Sequence, residues 1–250
     1  MKQYEAVIKV MEENGGFATL SYLYENTLKV PGVVWKTKTP FATIRRIVQD
    51  NRFFFKIKPG LWALKSYRNQ LPNEILSLIE EDKNHLKEGK FTHTYYQGMI
   101  VEIGNIKRYK TYIPPQDKNK KYLNKPLKEL ANLDVIFNFT YEDIVKRVQS
   151  IDVFWFNERK FPACVFEIEH STDFRNALIK FLELQDFNVE MYIVSPKERQ
   201  REFFHKIEFS SFKPIKSRTK FISYEEISHW HSKTYELMLA ESKIFEIKNQ

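Results

Sequence analysis

Between Tyr4 and Glu13 apolar residues fall at helical spacing, at Ala6, Val7, Val10 and Met11, and Gly15-Gly16 supplies a stop. Thr19 predicts the cap of a second helix carrying Leu20, Leu23, Tyr24 and Leu28, ending before Pro31-Gly32. Thr39-Pro40 predicts a third helix, with a hydroxyl cap and proline at its first position. Phe41, Ile44, Ile47 and Val48 form its buried stripe to about Asp50. Phe53 to Ile57, the turn Lys58-Pro59-Gly60 and Leu61 to Leu64 then predict a hairpin, with Trp62 assigned to the core.

The next stretch has a different rhythm. After Leu71-Pro72, an amphipathic helix carrying Ile75, Leu76, Leu78, Ile79 and Leu86 is predicted to end at Gly89. Met99 to Gly104 is an apolar segment interrupted by Glu102. Tyr112-Ile113-Pro114-Pro115 and the run Asp117 to Lys121 mark a polar excursion with Lys118, Lys120 and Lys121 exposed. From Ile151 the pattern alternates: a strand to Phe156, a turn over 157–161 and a strand from Ala163 to Glu169. Ser171-Thr172-Asp173 predicts the cap of a helix carrying Phe174, Ala177, Leu178, Phe181, Leu182 and Leu184. A strand over Val189 to Val194, a helix through Phe203 and Phe204, a strand at Lys220 to Ile222 and a helix from about Glu225 to Ala240 follow. Strands interleaved with helices predict a mixed α/β (α+β) body, with a mixed central sheet flanked by helices on both sides.

Bulk properties narrow the class. A 250-residue chain with 42% hydrophobic residues and a mean hydropathy of −0.50 reads as globular, with length for a substantial core. No apolar run is long enough to cross a bilayer and no N-terminal signal pattern stands out, so a cytoplasmic location without membrane attachment is expected. Cys164 is the only cysteine, which excludes intramolecular disulfides and cysteine-cluster zinc sites. Charge is unevenly placed: residues 1–70 hold twelve Lys or Arg against five Asp or Glu, a net +7 of the chain's +8. A lysine-rich genome would spread that excess evenly. A basic module on a near-neutral body instead predicts a polyanion-binding arm.

The candidate chemistry lies on the strands. Alternation puts Glu167 and Glu169 on one face and Phe166 and Ile168 on the other. If the two strands pair, Asp152 reaches the same spot. Three converging carboxylates repel one another unless a cation sits between them, and hard oxygen ligands suit Mg²⁺.

Two resemblances follow from these residues. Thr39-Pro40 through Arg45-Arg46, Asp50-Asn51-Arg52-Phe53 and Lys58 to Leu64 resemble the HARE-HTH domain, a winged-helix variant of restriction systems and chromatin proteins, implicated in DNA binding. The resemblance implies that Thr39, Thr43, Arg45 and Arg46 on and before the third helix, with Lys36, Lys38, Arg52, Lys56 and Lys58 around it, contact duplex DNA. For any single one of these, a solvated surface charge is an equal reading. Asp152, then Glu167-x-Glu169, then a capped helix resembles the PD-(D/E)xK nucleases, in a variant ending its motif in Glu instead of Lys. That resemblance covers about residues 93–195 and implies Mg²⁺, with Mn²⁺ as a substitute, held by Asp152 and Glu167 and supplemented by Glu102 on a helix preceding the sheet. Glu169 would bind a second metal or orient the attacking water. Lys180, along the following helix, is an auxiliary candidate for the absent lysine, and His170 is more structural than catalytic.

The expected organisation is a winged helix over 1–66, a helical linker over 67–97 and a nuclease-like domain over 98–250. The function expected is a type II restriction or phage-defence endonuclease acting on double-stranded DNA, as a homodimer, with a cognate DNA methyltransferase as genetic partner. The competing reading is a non-catalytic DNA-binding regulator on a nuclease-like scaffold. An RNA-directed nuclease is weaker, for want of an aromatic single-strand-binding motif.

Overall fold

The structure, a computed structural model, describes residues 1–84 and 89–247 and divides into two compact units. One comprises Met1–Glu80 with the chain from Ser228 onward; the other comprises Glu81–Ile227.

In the first unit, α1 (Gln3–Glu13) buries Ala6, Val7, Val10 and Met11, the stripe its spacing predicts. Gly16, at a φ of +88°, turns the chain at its end. The strand β1 (Phe17–Thr19) leads into α2 (Leu20–Asn26), where the Thr19 hydroxyl accepts from the Tyr22 amide. α3 (Pro40–Val48) begins at proline as expected, but Thr39 makes no side-chain cap. Its hydroxyl pairs with that of Thr37 instead, and only its carbonyl receives the Thr43 amide. β2 (Phe54–Lys58) and β3 (Leu61–Leu64) form the hairpin, and β1 adds antiparallel to β3, giving the order β1-β3-β2. The core joins Val7, Met11, Leu23, Tyr24, Ile44, Val48, Phe54 and Leu64, with Trp62 and Leu239 packed against it.

α4 (Asn73–Asn84) follows, so the expected helix continues through Ile79, whereas Leu86 lies outside the described residues. In the second unit α5 (Lys90–Ile106) takes in the whole Met99–Gly104 segment and places Glu102 on a helix. β4 (Lys110–Tyr112) comes next, a strand the sequence pattern does not predict, ending where the polar excursion begins, and a ribbon of β5 (Lys121–Tyr122) and β6 (Lys125–Pro126) follows. Then come α6 (Glu142–Val148), β7 (Val153–Phe156), β8 (Pro162–Ile168), α7 (Phe174–Leu182), β9 (Glu190–Ser195), α8 (Gln200–Ile207), β10 (Thr219–Ser223) and α9 (Tyr224–Ile247). The last helix runs from the second unit into the first.

The central sheet has the order β10-β9-β8-β7-β4. β8, β9 and β10 are parallel, and β7 is antiparallel to both β8 and β4, so the sheet is mixed and the fold is mixed α/β. On one face Phe154, Phe156, Val165, Met191 and Ile193 pack with Phe174, Leu178 and Phe181 of α7 and Phe203 of α8. On the other, Trp155 donates its indole N–H to the Ile100 carbonyl of α5 and Phe166 stacks on Tyr192. β7 and β8, inside the sheet, are covered on both faces, so Glu167 on β8 is a buried acid, whereas Glu190 at the start of β9 is partly exposed and pairs with Lys220.

Candidate functional site

Extending the β7–β8 register by one residue sets Asp152 opposite Glu167, and Glu169 follows where β8 ends. All three acidic residues are buried, none with more than 9% of its surface exposed. Asp152 Oδ2 accepts from the Ile168 amide at 2.7 Å and lies 3.1 Å from His93 Nε2. Lys180 of α7 reaches Glu167, its Nζ lying 2.8 Å and 3.0 Å from the two carboxylate oxygens, and also donates to the Ser150 carbonyl. Glu169 accepts at Oε2 from the Thr172 hydroxyl, while its backbone carbonyl receives the Ser195 hydroxyl and the Arg199 guanidinium. The cap of α7 is Asp173, accepting from the Arg175 amide. Thr172, one of the three residues expected to cap it, holds Glu169 instead.

The electrostatics follow from this crowding. Burial, then the charge of Asp152, raises Glu167 well above the ordinary carboxylate range against the opposing pull of Lys180. Burial, then Asp152, raises Glu169 to about 7. Asp152 moves the other way: burial opposes its ionisation, but His93 and the Ile168 amide outweigh it. His93 is raised by Asp152 despite its burial.

Sequence reasoning did not single out four of these neighbours. His93 and Gln97 lie one turn apart on α5, and Gln97 Nε2 donates to the Asp152 carbonyl at 2.8 Å and to Asp117 Oδ2 at 2.9 Å. Asp117, within the lysine-rich excursion, is buried, and Arg199 braces the Glu169 turn. Only the i,i+4 polar pair on an apolar helix signals any of them. Glu102 lies nine residues beyond His93 on α5, about two and a half turns along and so on the opposite side of the helix, and accepts from the Tyr122 hydroxyl. His170 faces Tyr224, with Nδ1 and the hydroxyl 3.3 Å apart.

In the first unit Lys36, Thr39, Thr43 and Arg46 line one open cleft with Gln3, Thr37 and Ala42. Lys38 and Lys56 are exposed. Arg52 is engaged by the Asp50 carboxylate, and Arg45 donates to the Tyr24 hydroxyl and pairs with Glu236. Lys58 is buried at the hairpin.

Among the described residues no three or more His, Cys, Asp or Glu side chains are arranged to hold a metal ion. The donor set nonetheless suits a hard divalent cation: three buried carboxylates stand together with one Lys180 ammonium and His93 beside them, and all the carboxylate donor atoms are hard oxygens.

Residues 71–247 match the family defined by the C-terminal domain of the type II restriction enzyme NmeDI. The chain belongs to this family. The NmeDI C-terminal match spans α4 to α9 and so contains the whole acidic site, while residues 1–70 lie outside it. The type II restriction enzyme NmeDI of Neisseria meningitidis serogroup C is 25% identical over 177 residues, 66% of this chain and 49% of that protein. The sporulation membrane protein YtrI of Bacillus subtilis (strain 168) is 27% identical over 104 residues, 42% of this chain and 62% of that protein. The chain thus spans about half the length of the NmeDI enzyme and under two thirds of YtrI. No helix among the described residues is long and apolar enough to cross a membrane. No solved structure matches significantly.

Proposed function

We propose that the chain carries the nuclease centre of a restriction-type endonuclease that hydrolyses phosphodiester bonds in duplex DNA with Mg²⁺, or Mn²⁺ in its place. The observation that carries this reading is the burial of Asp152, Glu167 and Glu169 together where β7 and β8 meet, inside the NmeDI-matched region. Nothing in fold stability calls for three carboxylates there, since buried like charges destabilise. The site is the PD-(D/E)xK variant that the spacing resembles.

Asp152 and Glu167 would hold the cation, which when bound polarises a phosphate and acidifies a water. Glu169, with its pKa near 7 and Oε2 held by Thr172, takes the proton of the attacking water at Oε1. Lys180, beside Glu167, supplies from α7 the positive charge that the motif elsewhere carries two residues after its acid. Glu102 stays a weaker candidate ligand.

Three helices and a three-stranded sheet over residues 1–66 are the parts of a winged helix, and Lys36, Thr39, Thr43 and Arg46 in its cleft suit a phosphate backbone. Cutting both strands calls for two centres, hence a homodimer, with a cytoplasmic setting and a methyltransferase protecting host DNA.

A second reading, a DNA-binding regulator on a retired nuclease scaffold, draws on the Lys180 ammonium occupying both oxygens of Glu167. One assay separates the two. Supercoiled and linear DNA, methylated and unmethylated, are incubated with Mg²⁺ and wild type, Asp152→Ala or Glu167→Ala. Cleavage by wild type that EDTA stops and both variants lose supports the nuclease; wild type that cuts no better than the variants leaves the regulator.

A further inference from the structure

Asp152 is held asymmetrically. The Ile168 amide and His93 Nε2 both converge on Oδ2, and no hydrogen bond reaches Oδ1 among the described residues. A carboxylate can only accept, so Nε2 carries the proton of that contact. His93 has no competing partner, because its buried Nδ1 is without one. One turn on, Gln97 ties down the main chain of the same residue through the Asp152 carbonyl and is itself fixed by Asp117. The two side chains stand at i and i+4 of a helix whose face is otherwise apolar, and Gln97 is fully buried. Buried polar groups on such a face are costly unless their bonds serve a purpose.

We propose that His93 and Gln97 are positioning residues for Asp152: they anchor Oδ2 and the carbonyl, so that Oδ1 alone is presented to the divalent cation. This rests on the reading of Asp152 as a cation ligand. A carboxylate free to rotate would offer either oxygen and lose orientational entropy on binding; one pinned by donors from two elements is preorganised. Groups of this kind typically tune metal affinity about 10- to 100-fold.

The test is calorimetric titration of Mn²⁺ into the metal-free full chain, with thermal unfolding measured alongside. His93→Leu, filling the space without the donor, is expected to weaken Mn²⁺ binding about 10-fold or more. His93→Gln, whose amide N–H reaches a similar distance, is expected to restore most of it. His93→Asn, polar but too short to reach Oδ2, repeats the loss should the leucine variant not fold. A merely structural role would lower the unfolding midpoint of each variant in step with its lost affinity and show no rescue by glutamine, which overturns the proposal. Unchanged Mn²⁺ affinity in His93→Leu beside lost affinity in Asp152→Asn overturns the clamp and leaves Asp152 a ligand. Unchanged affinity in Asp152→Asn overturns both.

Discussion

At the scale of single residues, Glu169 and Lys180 relieve the crowding of buried carboxylates in opposite ways, one by holding a proton and the other by supplying a positive charge. Glu169 has a folded-state pKa of about 7 against an ordinary 4.5, so the fold binds its proton more tightly than the unfolded chain does. Its stabilising contribution is complete below pH 4.5 or so and is lost as pH rises through about 7. In metal-free buffer, raising pH from about 5 to about 8 therefore lowers the unfolding midpoint of wild type more than that of Glu169→Gln, read by thermal denaturation at each pH. Lys180 acts differently, because its charge works against the burial that raises Glu167. Lys180→Met leaves a buried carboxylate alone and is expected to cost up to about 3 kcal/mol, measured by urea unfolding, with acid recovering part of the loss. The acids themselves were legible in the sequence, since Glu167 and Glu169 interrupt an apolar strand where charge has no structural excuse. His93, Gln97 and Asp117 were not. They lie 59, 55 and 35 residues before Asp152, and only the path of α5 and the loop beyond it brings them near.

Elements set how closely these residues meet. α5 lies against β4 and β7 at Gly104, where a methyl group would come within 2.5 Å of the Trp155 indole nitrogen and 2.6 Å of Thr111 Cγ2. Gly104→Ala must push the helix off the sheet, a predicted loss of about 1–3 kcal/mol in chemical denaturation, and it moves His93 and Gln97 with it. At the other side of the site, Asp173→Ala removes the cap of α7 and is expected to cost about 1 kcal/mol in the same experiment. Elements with strong internal periodicity, such as α1, α3, α7 and β8, could be read directly from the chain. β1 and β4 could not, being three residues each and stabilised by pairing with β3 and β7 instead of by any local pattern. The Ser-Thr-Asp run before α7 shows the same limit, because three residue types able to cap a helix stand together and tertiary contacts decide that Asp173 does so while Thr172 turns to Glu169.

For the whole molecule, the segregation of charge is the property that links a family match over residues 71–247 to the unmatched residues 1–70. Within the segment's net +7, Arg45 is taken up by Glu236 from outside residues 1–70, while Lys36 and Arg46 remain exposed on one cleft. Lys36→Ala and Arg46→Ala are expected to weaken DNA binding evenly across sequences, each lowering the slope of log affinity on log salt by about 1, read by fluorescence anisotropy with Ca²⁺ in place of Mg²⁺. Everything proposed for the chain still turns on whether a cation joins the acids of β7 and β8. Diffraction at the Mn²⁺ absorption edge, from crystals grown with Mn²⁺, tests this most directly. The account predicts an anomalous peak roughly 2 Å from Asp152 Oδ1 and from a carboxylate oxygen of Glu167 or Glu169, with Lys180 drawn back from Glu167. Crystals rich in Mn²⁺ in which Lys180 still holds both oxygens of Glu167 and no peak lies among the three acids would contradict it.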